Sequence, residues 1–185
     1  MSRAFVDEDA SASNEAEAPE LKIPIPPGSR NYLTAEGAEA LSRELHELTA
    51  AERPRLQAEF AVAAAAGTMI DPDELSALRA RLGEVDRRIA YLDAMAGLAE
   101  LVPLPPPEGR DRVKFGATVR VRDPRGGETE YRIVGVDEAD PGRGLLGWPS
   151  PVARALIGKK VGELALVKLP GGELSVRVLA IGYGP

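Results

Sequence analysis

The sequence predicts an α+β protein in two parts, an N-terminal antiparallel helical hairpin and a small C-terminal antiparallel sheet with one short helix. Three observations carry this. Leu75, Leu78, Leu82, Val85, Ile89 and Leu92 alternate spacings of three and four, which lines them along one helix face as a coiled-coil seam. Residues 102–109 hold prolines at 103, 105, 106 and 107, so they cannot be helical and mark a domain boundary. Beyond them the period falls to two: Val119 and Val121 share one face, Thr118, Arg120 and Arg122 the other.

Taken in order, residues 1–30 read as an acidic tail. Asp7, Glu8, Asp9, Glu15, Glu17 and Glu20 alternate with Ala and Ser, and Pro24, Pro26 and Pro27 follow. With no apolar period to bury, disorder is the expectation. The hairpin occupies residues 31–100. Its first helix starts after Thr34, and Leu41, Leu45 and Leu48 form a stripe resumed by Leu56, Phe60 and Ala63. Pro54 falls inside this pattern and predicts a kink near residues 50–53. At 1.5 Å per residue the arms reach about 40–48 Å. A short loop forces them antiparallel, and one narrow stripe per arm, satisfied by the other arm, means that the hairpin projects.

The tip is residues 67–74, Gly-Thr-Met-Ile-Asp-Pro-Asp-Glu. Gly67 follows an alanine run and ends the first arm. Asp71 reads as the N-cap of the second, Pro72 as its first residue, and Glu74 stands three after the cap. All three acids of the tip lie where a helix N-terminus is partly positive. A capping pair of Asp71 and Glu74 accounts for them without further function.

After the proline linker at 101–109, residues 110–185 read as two strand pairs. Residues 117–122 and 129–136 flank the turn Asp123-Pro124-Arg125-Gly126-Gly127; residues 164–169 and 174–181 flank Pro170-Gly171-Gly172. Between the pairs Ser150-Pro151 caps a short helix that Gly158 ends.

Composition excludes several classes. No cysteine among the 185 residues removes disulfides and thiolate metal sites and fits a reducing cytoplasm. A single histidine, His46, excludes a multi-histidine centre within one chain. No apolar run is long enough for a membrane span and no signal peptide is apparent, so a soluble cytoplasmic protein is expected. The net charge of −6 is uneven: residues 33–99 hold twelve acids and seven bases, and residues 110–185 nine acids and thirteen bases. Such a dipolar chain suits docking on a large charged partner, or simply a solvated surface.

Two motifs are decoys. Gly142-Arg143-Gly144-Leu145-Leu146-Gly147 matches the dinucleotide fingerprint, but Pro149 and Pro151 follow where a helix should open, so a flexible loop is expected. Gly158-Lys159-Lys160 lacks the rest of a phosphate-binding loop and reads as a solvated face.

Several spaced motifs carry a resemblance. Phe115-Gly116-Ala117-Thr118-Val119, Tyr131-Arg132-Ile133-Val134-Gly135, Asp137-Glu138-Ala139-Asp140, the run from Ser150-Pro151 to Gly158-Lys159, and Pro170-Gly171-Gly172-Glu173 resemble the C-terminal domain of the Gre family, bacterial transcription elongation factors of the GreA/GreB type. Leu33-Thr34-Ala35-Glu36-Gly37 and Arg53-Pro54 resemble its first helix. The resemblance spans residues 31–184. It implies a coiled-coil hairpin and an FKBP-like C-terminal domain. It further implies a factor with no active site of its own that binds RNA polymerase, itself on DNA, through the secondary channel. The globular domain would dock at the channel rim, with Ser150, Pro151 and Arg154 as contact candidates. The tip acids Asp71, Asp73 and Glu74 would help hold a Mg²⁺ shared with the polymerase and position the water for transcript cleavage. Arg79, Arg81, Arg87 and Arg88 either approach the RNA 3′ end, with Arg79 and Arg81 as the candidates, or solvate the helix. The expected state is a monomer that touches the nascent RNA only indirectly and no membrane.

This chain departs from the family's cleavage-competent tip, Gly-Asp-x-x-Glu-Asn. Thr68 stands for the first acid, Asp71 for the glutamate and Pro72 for the asparagine. Pro149 stands where the family usually has Asp or Asn, and the acidic tail lies outside its pattern. Weak or absent cleavage is therefore expected, with anti-pausing, competition with other channel factors or inhibition as the remaining roles. Readings from other classes are an FKBP-type prolyl isomerase or chaperone, whose pocket would need the scattered Phe115, Tyr131, Trp148 and Tyr183, and a binding module whose hairpin packs in a dimer.

Overall fold

The computed structural model describes residues 22–65 and 71–184. Gly67, Thr68, Met69 and Ile70 of the tip, and residues 1–21 of the expected tail, lie outside the described residues. Helix α1 (Ala35–Glu47) starts at Thr34, whose side chain accepts from the Gly37 amide at 3.0 Å. It runs through a wider turn (Leu48–Glu52) into α2 (Arg53–Ala65). That turn is the expected kink in a specific form. Pro54 has no N–H and its ring would collide with the carbonyl four residues back. The chain opens instead to a π turn, in which the Arg53 amide reaches the Leu48 carbonyl. The Thr49 hydroxyl bonds the carbonyls of Leu45 and His46, at 2.7 and 3.2 Å.

Helix α3 (Pro72–Gly97) returns antiparallel. The partners across the seam show this: Glu44 meets Arg88, Arg53 meets Asp86 and Phe60 meets Arg79, one number rising as the other falls. Leu75, Leu78, Leu82, Val85 and Ile89 are half-buried against the opposite arm, while Leu92 and Met95 are fully buried at the base.

The base is tied by two short strands, β1 (Asn31–Leu33) and β2 (Ala99–Leu101), paired in parallel. β2 takes the first residue of the stretch expected to be a structureless linker. Two three-residue strands carry too little pattern to be read from sequence. Leu33, Leu41, Leu92 and Met95 form the core of the base, and Ile23 and Ile25, within the stretch expected to be tail, pack against it. No described helix is long and apolar enough to cross a membrane.

The C-terminal part is a five-stranded sheet, β3 (Thr118–Arg122), β4 (Glu128–Val134), β5 (Leu145–Gly147), β6 (Leu164–Leu169) and β7 (Gly172–Gly182), in the order β5-β4-β3-β7-β6. One helix, α4 (Pro151–Leu156), is capped by Ser150, whose Oγ accepts from the Ala153 amide at 3.3 Å. Val119, Val121, Ile133, Ala153, Leu156, Ala165, Val167 and Val178 make its core. Two expectations are corrected. The sheet is mixed, because β5 runs parallel to β4. The strand is hidden in the glycine-rich decoy, which is ordered structure and not a flexible loop. Pro141–Arg143 is a turn of 3₁₀ helix, and Gly144 (φ 74°) lies so close to β4 that a Cβ would stand 2.6 Å from the Glu130 carbonyl oxygen. Lys160, expected to be merely solvated, pairs with Asp111 at 2.9 Å.

Leu56, fully buried just beyond the π turn, contrasts with Val62 on the same helix, which is 73% exposed. Leu56→Ala is expected to cost about 2–5 kcal/mol, and Val62→Ala to stay within about 0.5 kcal/mol, both measured by denaturant unfolding.

Candidate functional site: hairpin tip and domain junction

The described part of the tip is a helix N-terminus bearing three carboxylates. Asp71 caps α3, but its Oδ1 accepts from the Asp73 amide at 2.9 Å, one position earlier than a capping box would use. Asp73 and Glu74 stand in the first turn, and all three side chains are exposed. Among the described residues no group of three carboxylate or imidazole side chains converges to hold a metal. The three acids span four residues at a free end, with one oxygen of Asp71 already engaged. Carboxylate oxygens are the ligand type that Mg²⁺ takes.

The other candidates are dispersed. Arg79 lies over the Phe60 ring, its guanidinium carbon 5.7 Å from the centroid, and Arg81 pairs with Glu52 at 3.0 Å. Both are turned to the opposite arm. Ser150, Pro151 and Arg154 sit together at the start of α4, far along the chain from the tip. The Ser150 Oγ serves its cap as an acceptor, and Pro151 and Arg154 are exposed.

What the sequence reading missed is the junction between the two parts. Tyr32 of β1 packs on Phe115 and Trp148, with ring centroids 6.3 and 5.4 Å away. Phe115, Tyr131, Trp148 and Tyr183 pack against the sheet core, so aromatics that an isomerase would place around a substrate are committed to the interior and to Tyr32. Tyr91 of α3 donates to Asp137 at 2.6 Å, and Arg132 of β4 reaches Glu36 at 2.9 Å. Burial and the adjacent Asp137 carboxylate push the Tyr91 phenol above its ordinary range. Glu138 accepts from the Thr34 amide at 3.1 Å, from the Thr34 hydroxyl, and from the Gly135 amide at 3.0 Å. For the Thr34–Glu138 bonds the signal in the sequence was that both ends fall in motifs quoted above, Leu33 to Gly37 and Asp137 to Asp140; Tyr32, Tyr91 and Trp148 fall in none of them.

With this geometry in view, comparison with known proteins is direct. Residues 31–101 match the family model described as transcription elongation factor, N-terminal, and residues 107–183 that described as transcription elongation factor, GreA/GreB, C-term. The chain is 40% identical over 152 residues to the transcription elongation factor GreA of Verminephrobacter eiseniae, covering 82% of this chain and 96% of that protein. It is 41% identical over 155 residues to GreB of Yersinia pestis, covering 84% and 90%. A solved GreA/GreB factor from Nitrosomonas europaea is 22% identical, covers 83% of this chain and 100% of its own, and superposes with a TM-score of 0.37. The chain belongs to the GreA/GreB family of transcription elongation factors.

The seam nearest the junction is electrostatic as well as apolar. Arg88 makes two hydrogen bonds to Glu44, at 2.6 and 2.8 Å, and these hold the Glu44 carboxyl below its usual range against the opposing effect of partial burial. A carboxylate pKa lowered in the folded state gives stability that is present above the unfolded value and lost as pH falls through the folded one. Arg88→Met should therefore lower Tm at neutral pH by a margin that shrinks as pH falls below about 4.3; thermal unfolding scans from pH 7 to 3 measure it.

Proposed function

We propose that this protein regulates transcription elongation by binding RNA polymerase through its secondary channel, as an accessory factor without an active site of its own. The observation that carries the reading is a hairpin two helices thick whose free end presents Asp71, Asp73 and Glu74 to solvent, while its base is fixed to the globular domain. Such an arm can reach down a narrow channel while the domain stays outside. Ser150, Pro151 and Arg154 are the proposed rim contacts. A Mg²⁺ shared with the polymerase would stabilise the attacking and leaving oxygens of a transcript-cleavage reaction. Asp71, Asp73 and Glu74 are the groups of this chain that could ligate it. The factor acts as a cytoplasmic monomer and meets the RNA 3′ end only indirectly. Arg79 and Arg81, already paired across the hairpin, contribute to its rigidity first.

Cleavage stimulation is weak in this reading, because Thr68 supplies no carboxylate and Asp71 is one methylene shorter than glutamate. In backtracked complexes with 3′-labelled RNA, the protein should release few short fragments and should compete with a cleavage-competent family member. Thr68→Asp with Asp71→Glu should raise fragment release by about tenfold or more. No increase would refute the tip explanation, and failure to compete would refute polymerase binding.

A further inference from the structure

We propose that Glu138 is a positioning residue that sets the direction of the hairpin relative to the globular domain. This rests on the function proposed above only for its consequence, not for its geometry. Glu138 belongs to the segment after β4, yet its carboxylate sits on the N-terminus of α1. Its Oε1 accepts from the Thr34 and Gly135 amides at 3.1 and 3.0 Å, so one oxygen joins the first residue of the hairpin helix to the end of a sheet strand. Its other oxygen accepts a hydrogen bond from the Thr34 hydroxyl. That leaves a Thr34 lone pair for the Gly37 amide at 3.0 Å. A negative group here also lies at the partly positive end of the longest arm. The carboxylate thus completes the helix cap through Thr34 and fastens it to β4 at once.

The surroundings are shaped to this side chain. A Cβ on Gly37 would land inside the Glu138 carboxylate, and one on Gly135 would stand 2.6 Å from Glu138 Oε1 and 2.8 Å from the Tyr32 carbonyl oxygen. Both glycines keep negative φ, so space and not backbone conformation requires them. Glycine inside a helix otherwise costs up to about 1 kcal/mol relative to alanine, and at Gly37 that cost is retained where Glu138 needs the room. The neighbouring contacts are less constrained. The Tyr91–Asp137 bond and the Arg132–Glu36 pair are exposed, and the Arg132 Nε and Trp148 Nε1 atoms are buried at this junction with no partner among the described residues.

The test uses the whole chain, which has no native cysteine, with spin labels on Gln57→Cys in α2 and Arg125→Cys in the β3–β4 turn, both exposed positions. Wild type and Glu138→Gln, which keeps an oxygen in reach of both amides, should give one narrow interlabel distance. Glu138→Ala and Gly37→Ala should each broaden it. The double variant should be no broader than Glu138→Ala alone, because the methyl then meets no carboxylate. An unchanged narrow distance in Glu138→Ala overturns the proposal, as does a Glu138→Gln distribution as broad as that of alanine. On polymerase, Glu138→Ala should keep its half-saturating concentration while its plateau effect falls by about tenfold or more. A merely destabilised protein would instead raise the half-saturating concentration and reach the same plateau. The label measurement needs no polymerase, so its failure is distinct from failure of the proposed function.

Discussion

A hairpin of two helices has no third layer, and that constraint shapes everything attached to it. Along α3 each seam residue before the base is covered on one side only, which is why Leu75, Leu78, Leu82, Val85 and Ile89 remain half-buried. On the opposite arm Leu56 and Ala63 are buried, and at the base Leu33, Leu41, Leu92 and Met95 close against one another beneath the β1–β2 pair. The charged pairs across the arms, Arg53–Asp86, Arg81–Glu52 and Arg88–Glu44, are all substantially exposed. Exposed pairs of this kind are screened by solvent and add little to stability, so their part is to fix register. Stiffness at the free end therefore comes from how firmly the base is held.

The base is held by three kinds of contact. The Asn31 amide donates to the Met95 carbonyl at 3.2 Å, tying the strand that enters the hairpin to the helix that leaves it. Tyr32, next in sequence, points to the other side and packs on Phe115 and Trp148 of the globular domain. Thr34 then begins the helix under the Glu138 carboxylate. Alternation along β1 thus sends successive side chains to different parts of the molecule: Asn31 closes the base of the hairpin on itself, while Tyr32 and Thr34 join it to the domain.

Much of the hairpin was legible because its determinants are local. The jump from Leu48 to Leu56 in the first-arm stripe already encoded the π turn. Eight residues of uninterrupted helix rotate about 800°, some 80° past the starting face, and one extra residue in a turn removes about 100° of that. Leu56 is accordingly fully buried. The Asp71 and Ser150 caps were legible for the same reason, since cap and amide lie two or three residues apart. The junction was not. Thr34 and Glu138 are 104 residues apart, and no spacing rule links them. β5 was masked by glycines that looked like a loop, because a parallel edge strand of three residues has no alternation to display. Ile23 and Ile25 sat among prolines that imitate a disordered tail.

The tip stands apart from these dependencies. Its carboxylates are exposed, and near a helix N-terminus negative charge is favourable in the absence of any metal. Asp71 therefore persists as a cap whether or not it is also a ligand, and one of its oxygens remains uncommitted. The acids of the tip can change in number and length without loosening the seam, whose buried residues begin further along both arms, with Ala63 and Leu92. An arm of this kind separates delivery from chemistry. The base and junction decide where the end of the hairpin arrives, and a handful of residues at that end decides what it does there.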